Sequence, residues 1–247
     1  MEKSFFEVKN QTETSAEIYI VGQIMTEKPW YKEGEERKDN YLRDFIDSMQ
    51  ELKEIDNLDI HINSPGGALF AGITMYNLLK NMKAKKKVFV DGSAASAASV
   101  VAMAGDEIII PKNAFLMVHK PMISALGNAN DLQKCIDTLN TLEVGMISVY
   151  EDNLLNEKDK ELIKSMVQDE TWINGEEAAK LFKNTKVTDS IDIAACNNFD
   201  FTCYSHAPKE LLNFTKSKDN NKINEDNEIK NKKELKLAKA KLGLAIS

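Results

Sequence analysis

Polar and apolar positions alternate in short bursts along this chain, and between the bursts apolar residues recur with helical spacing. Glu17-Ile18-Tyr19-Ile20-Val21 alternates with a period of two and meets Gly22, which predicts a strand. Leu42, Phe45, Ile46, Met49 and Leu52 mark one face of a helix. Residues 58–63 form a second strand, stopped by Ser64-Pro65-Gly66-Gly67. A helix over about 68–82, a strand over 87–91, a small-residue helix over 96–104 and strands over 107–110 and 115–119 follow. Leu132, Cys135, Ile136, Leu139, Leu142, Met146, Val149 and Tyr150 then hold helical spacing over about 25 residues, and a shorter helix spans 156–167. This alternation predicts an α/β fold with largely parallel strand pairing.

Composition narrows the classes. The chain has 247 residues, 43% hydrophobic and 7% aromatic, an ordinary globular balance. A net charge of −7 does not favour nucleic acid as a partner. The longest uncharged stretch, residues 92–105, is too short and too rich in Ala and Ser to span a bilayer. Met1-Glu2-Lys3-Ser4-Phe5 is not a basic-then-apolar leader, and three cysteines without C-x-x-C spacing do not suggest a disulfide framework. Cys196, Cys203 and His206 would supply three soft metal ligands, but a structural zinc site needs a fourth, so no metal is expected. Residues 215–241 carry nine Lys against five Asp or Glu, a local +4 within the −7 total that leaves −11 elsewhere. Such a segment cannot bury enough apolar surface to offset its ordering entropy, and reads as a solvated tail with a basic helix near 233–246.

Glycine and serine concentrate where strands meet helices. Gly66-Gly67 follows a strand and precedes a helix, a turn that can present backbone N–H groups to an anion or a developing oxyanion. Gly92-Ser93-Ala94-Ala95-Ser96-Ala97-Ala98-Ser99 leaves a strand for a helix, a position that projects a serine hydroxyl outward as a nucleophile. G-x-S-x-G is absent, and spacing alone does not choose among Ser93, Ser96 and Ser99. A serine nucleophile needs a base. His61 lies within a strand and His206 lies beyond the last clear element, whereas His119 ends a strand just before Lys120-Pro121 and is the best placed of the three.

Ile62-Asn63-Ser64-Pro65-Gly66-Gly67, Gly92-Ser93-Ala94-Ala95-Ser96 and Met117-Val118-His119-Lys120-Pro121 occur in the order and approximate spacing of the proteolytic subunit of Clp protease, which the chain resembles over about residues 15–195. Gly127-Asn128-Ala129-Asn130-Asp131-Leu132, Glu170-Thr171-Trp172-Ile173 and Glu176-Glu177-Ala178 resemble its phage and prophage branch, the head maturation proteases. The resemblance implies the spiral of strand-strand-helix units shared with crotonases, with a long handle helix near 129–154. With the body read from the element pattern, a peptidase domain is expected over 1–206, its core about 15–195, ahead of a charged tail over 207–247. The resemblance further implies a serine endopeptidase without cofactor: Ser96 as nucleophile, His119 as base, and the backbone N–H groups of Gly67 and Ala97 as oxyanion hole. Where cellular members carry an aspartate two residues before an aromatic, this chain has Glu170 before Trp172, with Asp169 as the competitor for third triad member.

Implied partners are peptide or protein substrates, capsid-assembly or scaffold proteins among them, and further copies of the chain in a ring; neither nucleic acid nor membrane is implied. The implied location is the cytoplasm, that of the host for a phage-encoded protein. The segment Met1-Glu2-Lys3-Ser4-Phe5-Phe6-Glu7-Val8 and a charged insertion over 26–39, with Trp30 and Tyr31, depart from the basic, leucine-containing start associated with partner unfoldases. The leading expectation is therefore ATP-independent or assembly-coupled processing. The alternatives are a housekeeping subunit fed by a Clp-type ATPase, an inactive assembly scaffold, and a crotonase-type acyl-CoA enzyme that would have no use for a serine–histidine pair.

Overall fold

Two apolar-alternating strands anchor the molecule. In a computed structural model describing residues 6–26, 42–52, 54–190, 201–209 and 211–212, β3 (Asn57–Ser64) buries Leu58, Ile60 and Ile62, and β4 (Lys85–Ala95) buries Val88 and Val90 beside them. These are the period-two positions that face the same side of the pleat. β2 (Ser15–Val21) pairs parallel with β3, and β3 pairs parallel with β4. β1 (Phe6–Lys9) closes the near edge antiparallel to β2. β5 (Glu107–Pro111) and β8 (Thr185–Thr188) extend the far side in parallel. Parallel neighbours need crossovers, which α1 (Leu42–Glu51), α2 (Leu69–Asn81) and α3 (Ala97–Ala102) help supply. The predicted α/β class and the predominance of parallel pairing hold.

β4 is the strand that makes the site. Its first half pairs with β5, Lys87 to Phe89 opposite Glu107 to Ile109. Its second half pairs with β6 (Phe115–Val118), Ser93 to Ala95 opposite Phe115 to Met117. The sheet thus forks along one strand, and β6 is covered on its other side by antiparallel β7 (Thr171–Asn174). The sequence reading ended this strand at 91, because Gly92 and the small residues after it look like a turn. The chain stays extended there because β6 satisfies its backbone groups. Between Ile62 and Ser64 the β3–β4 register shifts, and the buried Asn63 side chain accepts from Ser93 N (3.2 Å) and Ser93 Oγ (3.3 Å).

α4 (Ala129–Asp152) is the long helix the stripe predicted, started by a capping box between Asn128 and Asp131. Only its last turns are buried, through Met146, Val149 and Tyr150; Leu132, Ile136 and Val144 are exposed. The helix read over 156–167 opens as a 3₁₀ turn (Glu157–Asp159) and continues as α5 (Lys160–Gln168). β1, β7, α6 (Gly175–Leu181) and β8 are elements the periodicity did not announce, each seven residues or shorter. The packed body also runs past 206, since Leu211 is buried. The insertion with Trp30 and Tyr31, Cys196, and the basic stretch 215–241 lie outside the described residues. Among the described residues no helix is long and apolar enough to cross a membrane.

Candidate active site

Ser96 sits at the point where β4 becomes α3. Its backbone adopts φ 55°, ψ −124°, a conformation that costs a non-glycine residue of order 1–3 kcal/mol and persists only when the surroundings impose it. They do so through several bonds. Ser96 N–H donates to Met117 O (2.9 Å), extending the β4–β6 pairing by one step. Ser96 O accepts from Ser99 N–H (2.9 Å) and from Ser99 Oγ (2.6 Å), and Ser99 Oγ in turn meets the buried Tyr150 hydroxyl at 2.7 Å. Because Ser96 O and Ala97 N–H share one peptide plane, fixing the carbonyl also aims the N–H.

The Gly66–Gly67 turn packs directly against this elbow. Gly66 has φ +90°, and a Cβ there would lie 2.4 Å from Ala95 O and 2.7 Å from Ser96 Cβ. Only glycine permits that approach. Ser64 braces the turn, donating from Oγ to Gly22 O (2.6 Å) and accepting from Gly66 N–H (3.0 Å). Ile24 bridges to Gly67 in parallel, its N–H to Gly66 O (2.8 Å) and its O from Ala68 N–H (2.9 Å). A parallel bridge uses the peptides flanking Gly67, so the N–H of Gly67 itself points to the other side.

His119 follows β6, which the forked strand holds beside β4. Its Nε2 is 2.7 Å from Ser96 Oγ. The imidazole is buried, and that burial lowers its pKa below the ordinary 6.5, against a smaller raising effect of the Glu170 charge. At neutral pH the ring is therefore uncharged and free to accept a proton. Of the three serines that spacing left open, Ser96 is the one paired with histidine; Ser93 and Ser99 are fully buried and engaged with Asn63 and Tyr150.

Glu170 stands across a cavity of about 360 Å³ that His119 and Asp169 also line. Its φ is +48°, and its carboxylate accepts from His206 N–H at 2.7 Å, while His206 Nδ1 lies 2.9 Å from Asp169 O. Among the described residues no hydrogen bond joins Glu170 to His119, although its charge reaches the ring. Asp169 is turned to Ser165 Oγ (3.3 Å). His61 belongs elsewhere: it is stacked between Tyr19 and Phe89 (4.5 and 4.7 Å) and bonded to Asp91 at 3.0 Å.

Sequence reasoning missed the segment that crosses the site. Phe201 and Tyr204 pack their rings against Trp172 (5.7 and 5.8 Å), and the Tyr204 ring meets that of His119 edge-on at 5.4 Å. Tyr204 donates its hydroxyl to Pro65 O at 2.5 Å and lines the same cleft as Ser96 and His119. Burial pushes the phenol up to about 12, so it stays protonated at neutral pH. The available signal was a pair of aromatics just ahead of the charged tail. A cleft of about 450 Å³ opens beside Ser96 and His119, walled by Phe70, Met122, Leu139 and Leu142.

Residues 15–181 match the family model for Clp protease. The chain belongs to the Clp protease family. That match runs from β2 to the end of α6 and so takes in Gly66–Gly67, Ser96, His119 and Glu170. The chain is similar to the ATP-dependent Clp protease proteolytic subunit of Bacteroides thetaiotaomicron, 29% identical over 137 residues covering 54% of this chain and 60% of that protein. The corresponding subunit of Deinococcus radiodurans is 30% identical over 138 residues, 55% of this chain and 65% of that protein. That of Ligilactobacillus salivarius is 36% identical over 92 residues, 36% of this chain and 45% of that protein. The chain thus spans less than two thirds of the length of these Clp protease relatives.

Proposed function

We propose that this chain is a serine endopeptidase in which Ser96 attacks the scissile carbonyl and His119 moves the proton. The observation that carries the reading is the 2.7 Å contact between His119 Nε2 and Ser96 Oγ at a strained strand-to-helix elbow. In acylation the Ser96 O–H proton passes to His119 Nε2 as the new C–O bond forms. The N–H groups of Gly67 and Ala97 hold the negative oxygen. Collapse breaks the C–N bond, and His119 returns the proton to the leaving amine. Water repeats the sequence and frees Ser96. Glu170 stabilises the imidazolium form, and the raising effect of its charge on His119 favours it over Asp169 for this role. No step needs a metal or cofactor.

The working form is a homo-oligomeric ring, supported by the exposed apolar residues Leu132, Ile136 and Val144 on α4. As substrate class we propose capsid-assembly proteins of a phage or prophage, cut without ATP or in step with assembly. This rests on the resemblance carried by Gly127 to Leu132 and by Glu170-Thr171-Trp172-Ile173. A second reading, supply of unfolded chains by a Clp-type ATPase, is favoured by the name shared by the cellular relatives.

Fluorophosphonate labelling with peptide mapping tests the chemistry. Label is expected at Ser96 in wild type and absent in both Ser96→Ala and His119→Ala. Label at Ser93 or Ser99, or none at all in folded protein, overturns the assignment. Degradation of a folded substrate that rises when a Clp-type ATPase and ATP are added favours the second reading over the first.

A further inference from the structure

We propose that the segment Phe201–His206 is a built-in inhibitory strap that covers Ser96 and withholds Glu170 from His119. The inference rests on the serine–histidine reading above and goes beyond it by naming a resting state.

Three contacts carry the proposal, each on a different part of the site. Tyr204 carries its phenol to Pro65 O at the glycine turn, on the wall of the cleft that Ser96 and His119 also line. Its hydroxyl is committed to Pro65 O at 2.5 Å and its ring meets the His119 imidazole edge-on at 5.4 Å, which fixes the phenol in this corner of the cleft. A scissile carbonyl must come within about 3–3.5 Å of Ser96 Oγ to react, and a phenol fixed on the wall of the same cleft takes up part of the approach.

The second contact is at the acid. His206 N–H donates to Glu170 Oε1 at 2.7 Å, and the His206 ring reaches Asp169 O at 2.9 Å. A carboxylate held this way faces the strap rather than the imidazole. The intervening cavity of about 360 Å³ gives it room to turn once that bond breaks.

The third contact is the anchor. Phe201 is fully buried, and the rings of Phe201 and Tyr204 sit on Trp172, which follows Glu170 by two residues on β7. The Trp172 indole N–H is buried in this seat without a hydrogen-bond partner among the described residues, a cost that works against the seated state. The strap is thus fixed at Trp172, spans Ser96, and ends on Glu170, and its release would free nucleophile and acid together.

The test uses the full chain and the rate of fluorophosphonate labelling at Ser96. Tyr204→Ala and Phe201→Ser are expected to label about tenfold faster than wild type, the equivalent of one or two ordinary hydrogen bonds lost from the covered state. Tyr204→Phe, which keeps the ring and its packing, is expected to label about threefold faster. Hydrogen–deuterium exchange of residues 201–207 supplies a readout independent of activity. Protection in wild type that is lost in Phe201→Ser, with the β3 and β4 amides still protected, supports a seated strap on an intact fold. Equal or slower labelling in all three variants while wild type labels at Ser96 overturns the strap and leaves the peptidase reading standing, as does wild-type exchange as fast as an unfolded peptide. Absence of Ser96 label in wild type and in every variant overturns the peptidase reading, and the strap with it.

Discussion

At the scale of single residues, the proposed chemistry depends on a histidine kept neutral. Burial holds the His119 pKa below 6.5, and the Glu170 charge partly opposes that shift. In peptide hydrolysis, kcat/KM is therefore expected to rise with pH through a pKa below 6.5 and to be level by neutral pH. Replacing Glu170 with Gln removes a negative charge that favours the imidazolium. The rising limb then moves to lower pH, and the plateau rate falls about tenfold or more as the imidazolium loses its counter-charge. Asp169→Asn, whose parent side chain is turned to Ser165, should leave the limb in place. A pH–rate profile for the three proteins checks this. An unmoved limb in Glu170→Gln, or a moved one in Asp169→Asn, assigns the charge to another group.

Elements decide whether those residues meet. β4 carries Ser96 at its end only because the forked sheet lets β6 replace β5 as its partner, and β6 delivers His119 two residues past Met117. The Gly66–Gly67 turn completes the arrangement by approaching closer than any side chain allows. Gly66→Ala would place a methyl 2.7 Å from Ser96 Cβ, so the turn must retreat. A displacement of about 1 Å at such a site costs on the order of 100-fold in rate. The positive φ adds about 1–3 kcal/mol of destabilisation. The expected outcome is a folded protein by circular dichroism, with a lowered thermal midpoint and kcat reduced about 100-fold. Unchanged kcat would remove the turn from the reaction.

For the whole molecule, the exposed length of α4 is the feature a single chain leaves unexplained. Leu132, Ile136 and Val144 stand in solvent at 40%, 49% and 70% exposure, while the same helix buries Met146 and Val149 only a few residues on. A helix with an apolar stripe along its length but buried only at one end suits the proposed contact with another copy along the rest. Ile136→Asp together with Val144→Asp is expected to shift the species seen by size-exclusion chromatography with light scattering from an oligomer to the monomer. The far-UV spectrum should stay the same. An unaltered mass would place the contact on another face.

The sequence by itself determined the α/β class, the long helix, the glycine turn and a serine–histidine pairing narrowed to a few residues. Hydrophobic period and turn chemistry are local, and a turn of glycines or an eight-residue buried strand declares itself without its neighbours. The strand over 87–91 and the helical stripe from Leu132 to Tyr150 were legible for that reason. The short β1, β7 and β8 were not, because four residues of alternation carry too little signal until a partner strand supplies their hydrogen bonds. Family resemblance singled out Ser96 from Ser93 and Ser99, which physical spacing could not do. In the folded chain the choice has a physical cause: Ser93 is engaged by Asn63 and Ser99 by Tyr150, which leaves Ser96 to face the histidine. Tertiary structure alone brought Tyr204 onto Pro65 and His206 onto Glu170, across separations of 139 and 36 residues. No local pattern encodes contacts of that kind, since they arise only when the end of the packed body folds back over the sheet.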